Sequence, residues 1–106
     1  MKNGSEYERH CTRKMKRHFY LFVKQRGNTN AADYGADIIA RTLLFRKIVV
    51  QCKAYSKKVG VRAVQEVIAA RQYYHASKAA VATNSTFTRS ARKLAKVCNV
   101  ELWERY

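Results

Sequence analysis

The period of apolar and polar positions changes several times along the chain, and each change marks an element. Tyr7, Cys11, Met15 and His18 recur at spacings of four, four and three, which predicts one buried face of a helix over residues 5–18. "FYLFVKQ" (Phe19–Gln25) reads as a short, aromatic-rich strand. "RGNTNAADYG" gathers Gly, Asn and Asp and predicts a loop, with Asp33 organising a turn inside it. "ADIIAR" and "KIVVQCK" (Lys47–Lys53) follow as strands. Ala63, Val67, Ala70 and Tyr74 make one stripe, widened by Val64 and Ile68, and predict a helix over 61–76. "KAAVAT" (Lys78–Thr83) has the pattern of a buried strand, "NSTF" turns the chain, and Thr88 is placed to cap a helix over 89–98. "VELW" (Val100–Trp103) alternates like a final strand.

The predicted order is α-β-β-β-α-β-α-β. An antiparallel start followed by β-α-β units predicts a mixed α/β sheet flanked by helices. One connection breaks the rules. "TLLF" (Thr42–Phe45) joins two strands without a Gly, Asn, Asp or Pro to set a tight turn. A dimer contact over this apolar tip and an ordinary packed hairpin both account for it.

Charge alters this picture most. The chain has 22 Lys and Arg against 7 Asp and Glu, a formal net charge of +15 over 106 residues. Such an excess on a domain of this size works against the compact state by self-repulsion. A polyanion relieves it, and nucleic acid is the first candidate. An anionic membrane surface is the second, but no helix shows a Trp/Phe/Leu-rich insertion face. A surface made basic for solubility alone is the plain alternative. The length fits a single domain over 1–106 with one modest core. No run of about 18 apolar residues predicts a membrane span. "MKNGSEYERHC" lacks the apolar stretch of a secretory signal, so the expected compartment is cytoplasmic. Cys11, Cys52 and Cys98 are an odd, widely spaced set without zinc-ligand spacing, and are expected reduced and packed as small apolar groups.

The candidate chemistry lies in the two strands around the odd turn. Gln51 and Lys53 share one face of their strand, with Cys52 on the other. If the strand of Asp37 pairs with this one, a carboxylate, an amide oxygen and an ammonium meet at one end of the sheet. Asp and Gln offer hard oxygens suited to magnesium. Lys offers positive charge for a developing phosphate charge, or a donor that positions water. A metal there could activate water and polarise a phosphoryl oxygen. The bland reading is that Asp37 ends a turn while Gln51 and Lys53 are solvated edge residues.

With these residues in view, the sequence resembles a known family. "GADIIA" and "VVQCKAY" are similar to the D…QxK core of Mrr-type restriction endonucleases, a branch of the PD-(D/E)XK nuclease superfamily. "GSEYE" resembles the family's first-helix GxxxE, "VGVRAVQEVIAA" its central helix, and "ATNSTFTRSARKLA" its strand, loop and last helix. The likeness runs from about Gly4 to Trp103. It implies a restriction-endonuclease-like core, a mixed four-stranded sheet flanked by helices (α-β-β-β-α-β, then α-β). It implies a DNA endonuclease that uses Mg2+, with Mn2+ as an alternative ion, and leaves 5′-phosphate ends. By position it makes Asp37 the metal-binding acid and Gln51 the second ligand, where most of the superfamily has Glu or Asp. Lys53 becomes the catalytic lysine, Glu8 the first-helix carboxylate, and the Cys52 backbone carbonyl a further ligand. The Gln removes one negative charge, so magnesium is expected to bind more weakly than at a three-carboxylate site.

Several of these residues have plainer uses. Ser5 and Glu8 fit a capping box, which would spend Glu8 on a backbone N–H; Asn3 and Glu6 fit the same template and would release it. Gln65 lies on the central helix, where the superfamily places a polar residue facing the site or the DNA; a surface glutamine reads equally well. Tyr55, Lys57 and Lys58 follow Lys53 and could contact phosphates, or be a solvated run. Asn84, Ser85 and Thr88 could donate to phosphate at a helix start, although capping explains Thr88 as well. Three other functions stay open: a Holliday-junction or structure-specific nuclease, acting as a homodimer; a catalytically inactive DNA-binding module of the same fold; and an RNA-binding protein, which no exposed stacking motif supports. Members of the family usually carry a separate recognition domain for modified DNA, and 106 residues leave no room for one. A catalytic fragment, a stand-alone phage or mobile-element protein, and one part of a complex with a separate recognition domain or subunit all stay open.

Overall fold

The computed structural model describes residues 4–25 and 35–106. Asn3, Asp33 and most of the "RGNTNAADYG" loop lie outside them. The elements are α1 (Gly4–Arg17), β1 (Leu21–Gln25), β2 (Ile38–Arg41), β3 (Lys47–Lys53), α2 (Val61–Tyr73), β4 (Lys78–Thr83), α3 (Arg89–Cys98) and β5 (Val100–Trp103). This is the order the sequence predicts.

All five strands form one sheet in the order β1-β2-β3-β4-β5. β1 to β3 pair antiparallel, and β3 to β5 pair parallel. The sheet therefore has one strand more than the four-stranded core the resemblance implies, because β5 adds to β4. Both crossover helices lie on one face. Ala63, Val64, Val67 and Ala70 of α2 join Ala91 and Ala95 of α3 over Val49, Ala79, Val81 and Val100. α1 covers the other face, with Tyr7, Cys11 and Met15 packed on Ile38, Ile48, Val50 and Cys52. The four-residue spacing on α1 thus buries Tyr7, Cys11 and Met15, whereas His18 is exposed beyond the helix end. Strand period and helix period together sort the apolar residues into two cores, one on each face.

Boundaries shift where the backbone turns left-handed. Phe19 takes φ 69°, so the first strand begins at Leu21 rather than Phe19. His75 takes φ 55°, and α2 ends at Tyr73 rather than Ala76. The "TLLF" turn is built by a hydroxyl instead of a turn residue. Thr42 Oγ1 accepts the N–H groups of Leu44 (3.3 Å) and Arg46 (3.2 Å), and Phe45 supplies φ 62°. Leu43, Leu44 and Phe45 are exposed at this tip.

One close approach sets the other end of the sheet. Gly35 has φ 78°, and a Cβ there would lie 2.7 Å from the Glu66 carbonyl oxygen on α2. Only glycine meets both conditions. The segment entering β2 is thereby held against α2 at Glu66, two residues before Asp37.

Candidate active site

β3 carries the centre of the site. It ends in Gln51-Cys52-Lys53, and side chains alternate along it. Cys52 turns to the α1 core. Gln51 turns towards α2 and is 5% exposed. Its Nε2 donates to Glu66 Oε1 at 2.7 Å. Lys53 Nζ lies 3.6 Å from the same Glu66 oxygen. The Lys53 backbone is pinned from below: Thr83, fully buried and opposite Lys53 in the β3–β4 register, donates its hydroxyl to the Lys53 carbonyl at 2.6 Å.

Asp37 enters from the antiparallel neighbour. Its N–H donates to the Val50 carbonyl at 2.9 Å, which extends the β2–β3 ladder by one residue. Its Oδ2 accepts the Cys52 N–H at 2.8 Å. A carboxylate taking a backbone N–H is a charge-assisted bond. It holds the Asp37 head at the residue between Gln51 and Lys53. The three predicted heads therefore converge on one end of the sheet, on the condition set out above, that the two strands pair.

Glu8 reaches this end from α1. α1 already includes Ser5, and Glu8 Oε1 accepts from Gln25 Nε2 of β1 at 3.3 Å. Its charge is felt at Cys52. The Cys52 thiol is pushed well above its ordinary range, first by the hydrogen bond with Cys11, then by burial, with Asp37 and Glu8 adding to the shift. Cys11 is moved the opposite way by the same hydrogen bond. Cys52 is thus held as a neutral thiol, and what it presents to the site is its backbone.

The donor chemistry suits a hard cation. Gln51 Oε1 is buried and has no hydrogen-bond partner among the described residues. A buried amide oxygen left unpaired costs about 1–3 kcal/mol. On the neighbouring strand the Asp37 carboxylate is held at Cys52, the next residue after Gln51, and carboxylate, amide and main-chain oxygens are donors of the kind Mg2+ takes. Among the described residues no group of three or more His, Cys, Asp and Glu side chains forms a metal cluster. An amide and a main-chain carbonyl fall outside such a set, so a site of this composition is compatible with that finding.

Around this end the two crossover loops meet. Val59 N–H donates to the Thr86 carbonyl (2.8 Å) and Thr88 N–H to the Val59 carbonyl (2.9 Å), which sets the starts of α2 and α3 side by side. Helix N-termini favour anions. Tyr55, Lys57 and Lys58 are exposed here. Arg62 and Arg89, which sequence reading passed over, are exposed in the first turns of the two helices. Asn84 and Thr88 have part of their capacity committed. Asn84 Oδ1 accepts the Tyr55 N–H at 2.9 Å, and Thr88 Oγ1 caps α3 by accepting the Ala91 N–H at 3.2 Å. The Ser85 N–H donates to Thr83 Oγ1 at 3.1 Å.

Gln65 is exposed on α2, and the position that faces the site is the next one, Glu66. The phase of the helix carries the signal. Glu66 stands three residues after Ala63 and four before Ala70, on the flank of the buried stripe, while Gln65 is on the far side. Thr83 was also missed; a Thr at the end of an apolar strand gives no sign of which backbone it will hold.

Among curated proteins none matches the chain in sequence. Solved structures match its fold. A protein of unknown function superposes with a TM-score of 0.74 at 17% identity over 92% of this chain. A repair endonuclease from Pyrococcus abyssi does so with 0.66 at 14% over 98%. MspJI restriction endonuclease in complex with a 27-mer oligonucleotide gives 0.66 at 19% over 93%. The chain spans 55%, 47% and 25% of the lengths of those three proteins. In sequence, the profile of the Mrr catalytic family, restriction endonuclease, matches residues 2–106. A match over almost every residue, on a fold shared with endonucleases, means that this chain belongs to the Mrr-type restriction endonuclease family.

Proposed function

We propose that this chain is a catalytic domain that hydrolyses DNA phosphodiester bonds with a divalent metal, Mg2+ or Mn2+. The observation that carries the reading is the buried Gln51 amide oxygen, unpaired and adjacent in the fold to Asp37 and Lys53. A buried group of this kind calls for a partner outside the protein's own hydrogen bonds, such as a cation or an ordered water, and beside Asp37 and Lys53 a cation is the partner we propose.

Asp37 and Gln51 would hold the metal, with the Cys52 carbonyl and Glu8 as the remaining protein donors. When bound, the ion supplies positive charge that polarises a phosphoryl oxygen and eases loss of a proton from water. The chain's own residues do the rest. Lys53 keeps an ammonium at the site, its backbone anchored by Thr83, where it orients the attacking water or meets charge developing on the phosphate. Tyr55, Lys57, Lys58 and Ser85, with the donor groups of Asn84 and Thr88, hold flanking phosphates at the paired helix starts. Gln65 is reassigned to the exposed rim of α2, where it can meet DNA but not the metal. A net charge of +15 supplies the long-range attraction for the duplex. One protein of similar fold, MspJI, has been solved with a 27-mer oligonucleotide, which suits a nucleic-acid substrate.

The test is plasmid cleavage with added Mg2+ by the purified chain and by the Asp37→Ala and Lys53→Ala variants. Cleavage by the parent and none by the variants supports the assignment. Cleavage that survives both substitutions overturns it. Steeply salt-dependent DNA binding without cleavage by the parent identifies an inactive binding module.

A further inference from the structure

Glu66 makes two contacts through one oxygen: Gln51 Nε2 at 2.7 Å and Lys53 Nζ at 3.6 Å. An amide has a donor end and an acceptor end, and nothing in its shape decides which end faces the sheet and which the helix. Here the carboxylate decides it. Glu66 accepts only, so it takes the NH2 group, and the oxygen must point the other way. That oxygen is the buried, unpaired one. The backbone keeps Glu66 within reach, because Gly35 packs against its carbonyl.

We infer that Glu66 is a positioning residue that fixes the orientation of the Gln51 amide, turning its oxygen to the metal, while it holds the Lys53 ammonium. In this way a strand lacking a carboxylate at position 51 still presents an oxygen there, and a negative charge sits beside it on α2, in the Glu66 carboxylate. The inference rests on the nuclease reading for the use of the site, but it makes its own claim about metal affinity.

Four variants separate the possibilities: Glu66→Ala, Glu66→Gln, Gln51→Glu, and the double variant Gln51→Glu/Glu66→Gln. Glu66 is half-exposed at 41%, and the Gln substitution is nearly isosteric, so folding is preserved in at least that variant. The readout is binding of Mn2+ alone to the full chain, followed by the paramagnetic resonance of the free ion, beside plasmid cleavage. Glu66→Ala should bind Mn2+ about 10-fold more weakly, as for other residues that orient a metal ligand. Glu66→Gln should lose only about 2–3-fold, since its carbonyl still accepts from Gln51. Gln51→Glu alone places two carboxylates together and should gain nothing. The double variant reverses donor and acceptor, restores the bond, and should bind at least as tightly as the parent.

Parental affinity in Glu66→Ala, or a Gln51→Glu effect that is the same with and without Glu66→Gln, overturns the inference. So does a parent chain that binds no Mn2+. If the Mn2+ pattern holds while no DNA is cut, the positioning role stands and the nuclease reading fails. If the parent cuts DNA and the pattern is absent, the reverse follows.

Discussion

The two ends of β3 break the same rule in opposite directions. At its C-terminal end the strand buries an amide and half-buries an amine beside an aspartate. At its N-terminal end the turn exposes Leu43, Leu44 and Phe45, with Phe22 of β1 beside Phe45 at 6.2 Å between ring centres. Both oddities are visible as residues out of pattern. Only the polar one closes into a network, with Gln51 and Lys53 on the Glu66 carboxylate and Asp37 on the Cys52 N–H. Buried polar groups are expensive enough to require an explanation, whereas an exposed apolar side chain costs little by itself, and a cluster of them speaks only to what covers it. The contrast points to function by cost: the end with the larger penalty is the end proposed to carry the chemistry.

Four experiments break or sharpen that contrast. The largest effect belongs to the polar end. Lys53→Ala or Asp37→Ala should lower the plasmid cleavage rate by at least ~100-fold, as loss of a charge-stabilising group does elsewhere. Metal-free DNA binding, measured by fluorescence anisotropy, should change little. Next comes Gly35→Ala, which demands both a left-handed φ of 78° and room beside the Glu66 carbonyl. It should cost about 1–3 kcal/mol in urea unfolding. Because it pushes the Asp37 segment away from α2, cleavage should fall with it.

Smaller still in its effect on stability, Gln51→Met keeps volume while removing both the unpaired oxygen and the Nε2 bond to Glu66. It should abolish cleavage while unfolding stability stays within ~1 kcal/mol, because relief of the unpaired oxygen offsets the lost bond to Glu66. A loss well above ~2 kcal/mol with cleavage retained would mean that the glutamine belongs to the fold rather than the site. Smallest is Leu44→Ser at the apolar tip, where the side chain is 80% exposed. Stability should stay within ~0.5 kcal/mol and cleavage should be unchanged. A large drop in either would show that the tip is covered in solution and that the two ends are not as different as exposure suggests.

The pattern of apolar residues was enough to place every element, and β3, β4, α3 and β5 keep the predicted bounds. Those four have unambiguous period and clean punctuation, such as Thr88 before α3 and Asn99, at φ 55°, after it. α1 moved by one residue at each end, and β2 begins at Ile38 rather than Ala36; the start of β1 and the end of α2 shifted at Phe19 and His75, where the backbone turns left-handed. The sequence also sufficed to bring Asp37, Gln51 and Lys53 together as candidates, since strand alternation and antiparallel pairing are local rules.

The partners of those three residues were another matter. Glu66 and Thr83 reach Gln51 and Lys53 across 13 to 30 positions of chain, and which side chain arrives there depends on how α2 and β4 dock. A helix advances its side chains by about 100° per residue, so a choice of Gln65 over Glu66 turns on rotation alone. That rotation is settled by packing, here by Val64 and Val67 in the core and by Gly35 against the helix backbone. Local periodicity decides what a residue is part of, and therefore the amino-acid order alone named the strands and their chemistry. Which oxygen meets which nitrogen depends on distances of a few tenths of an ångström, and only the packed molecule determines those.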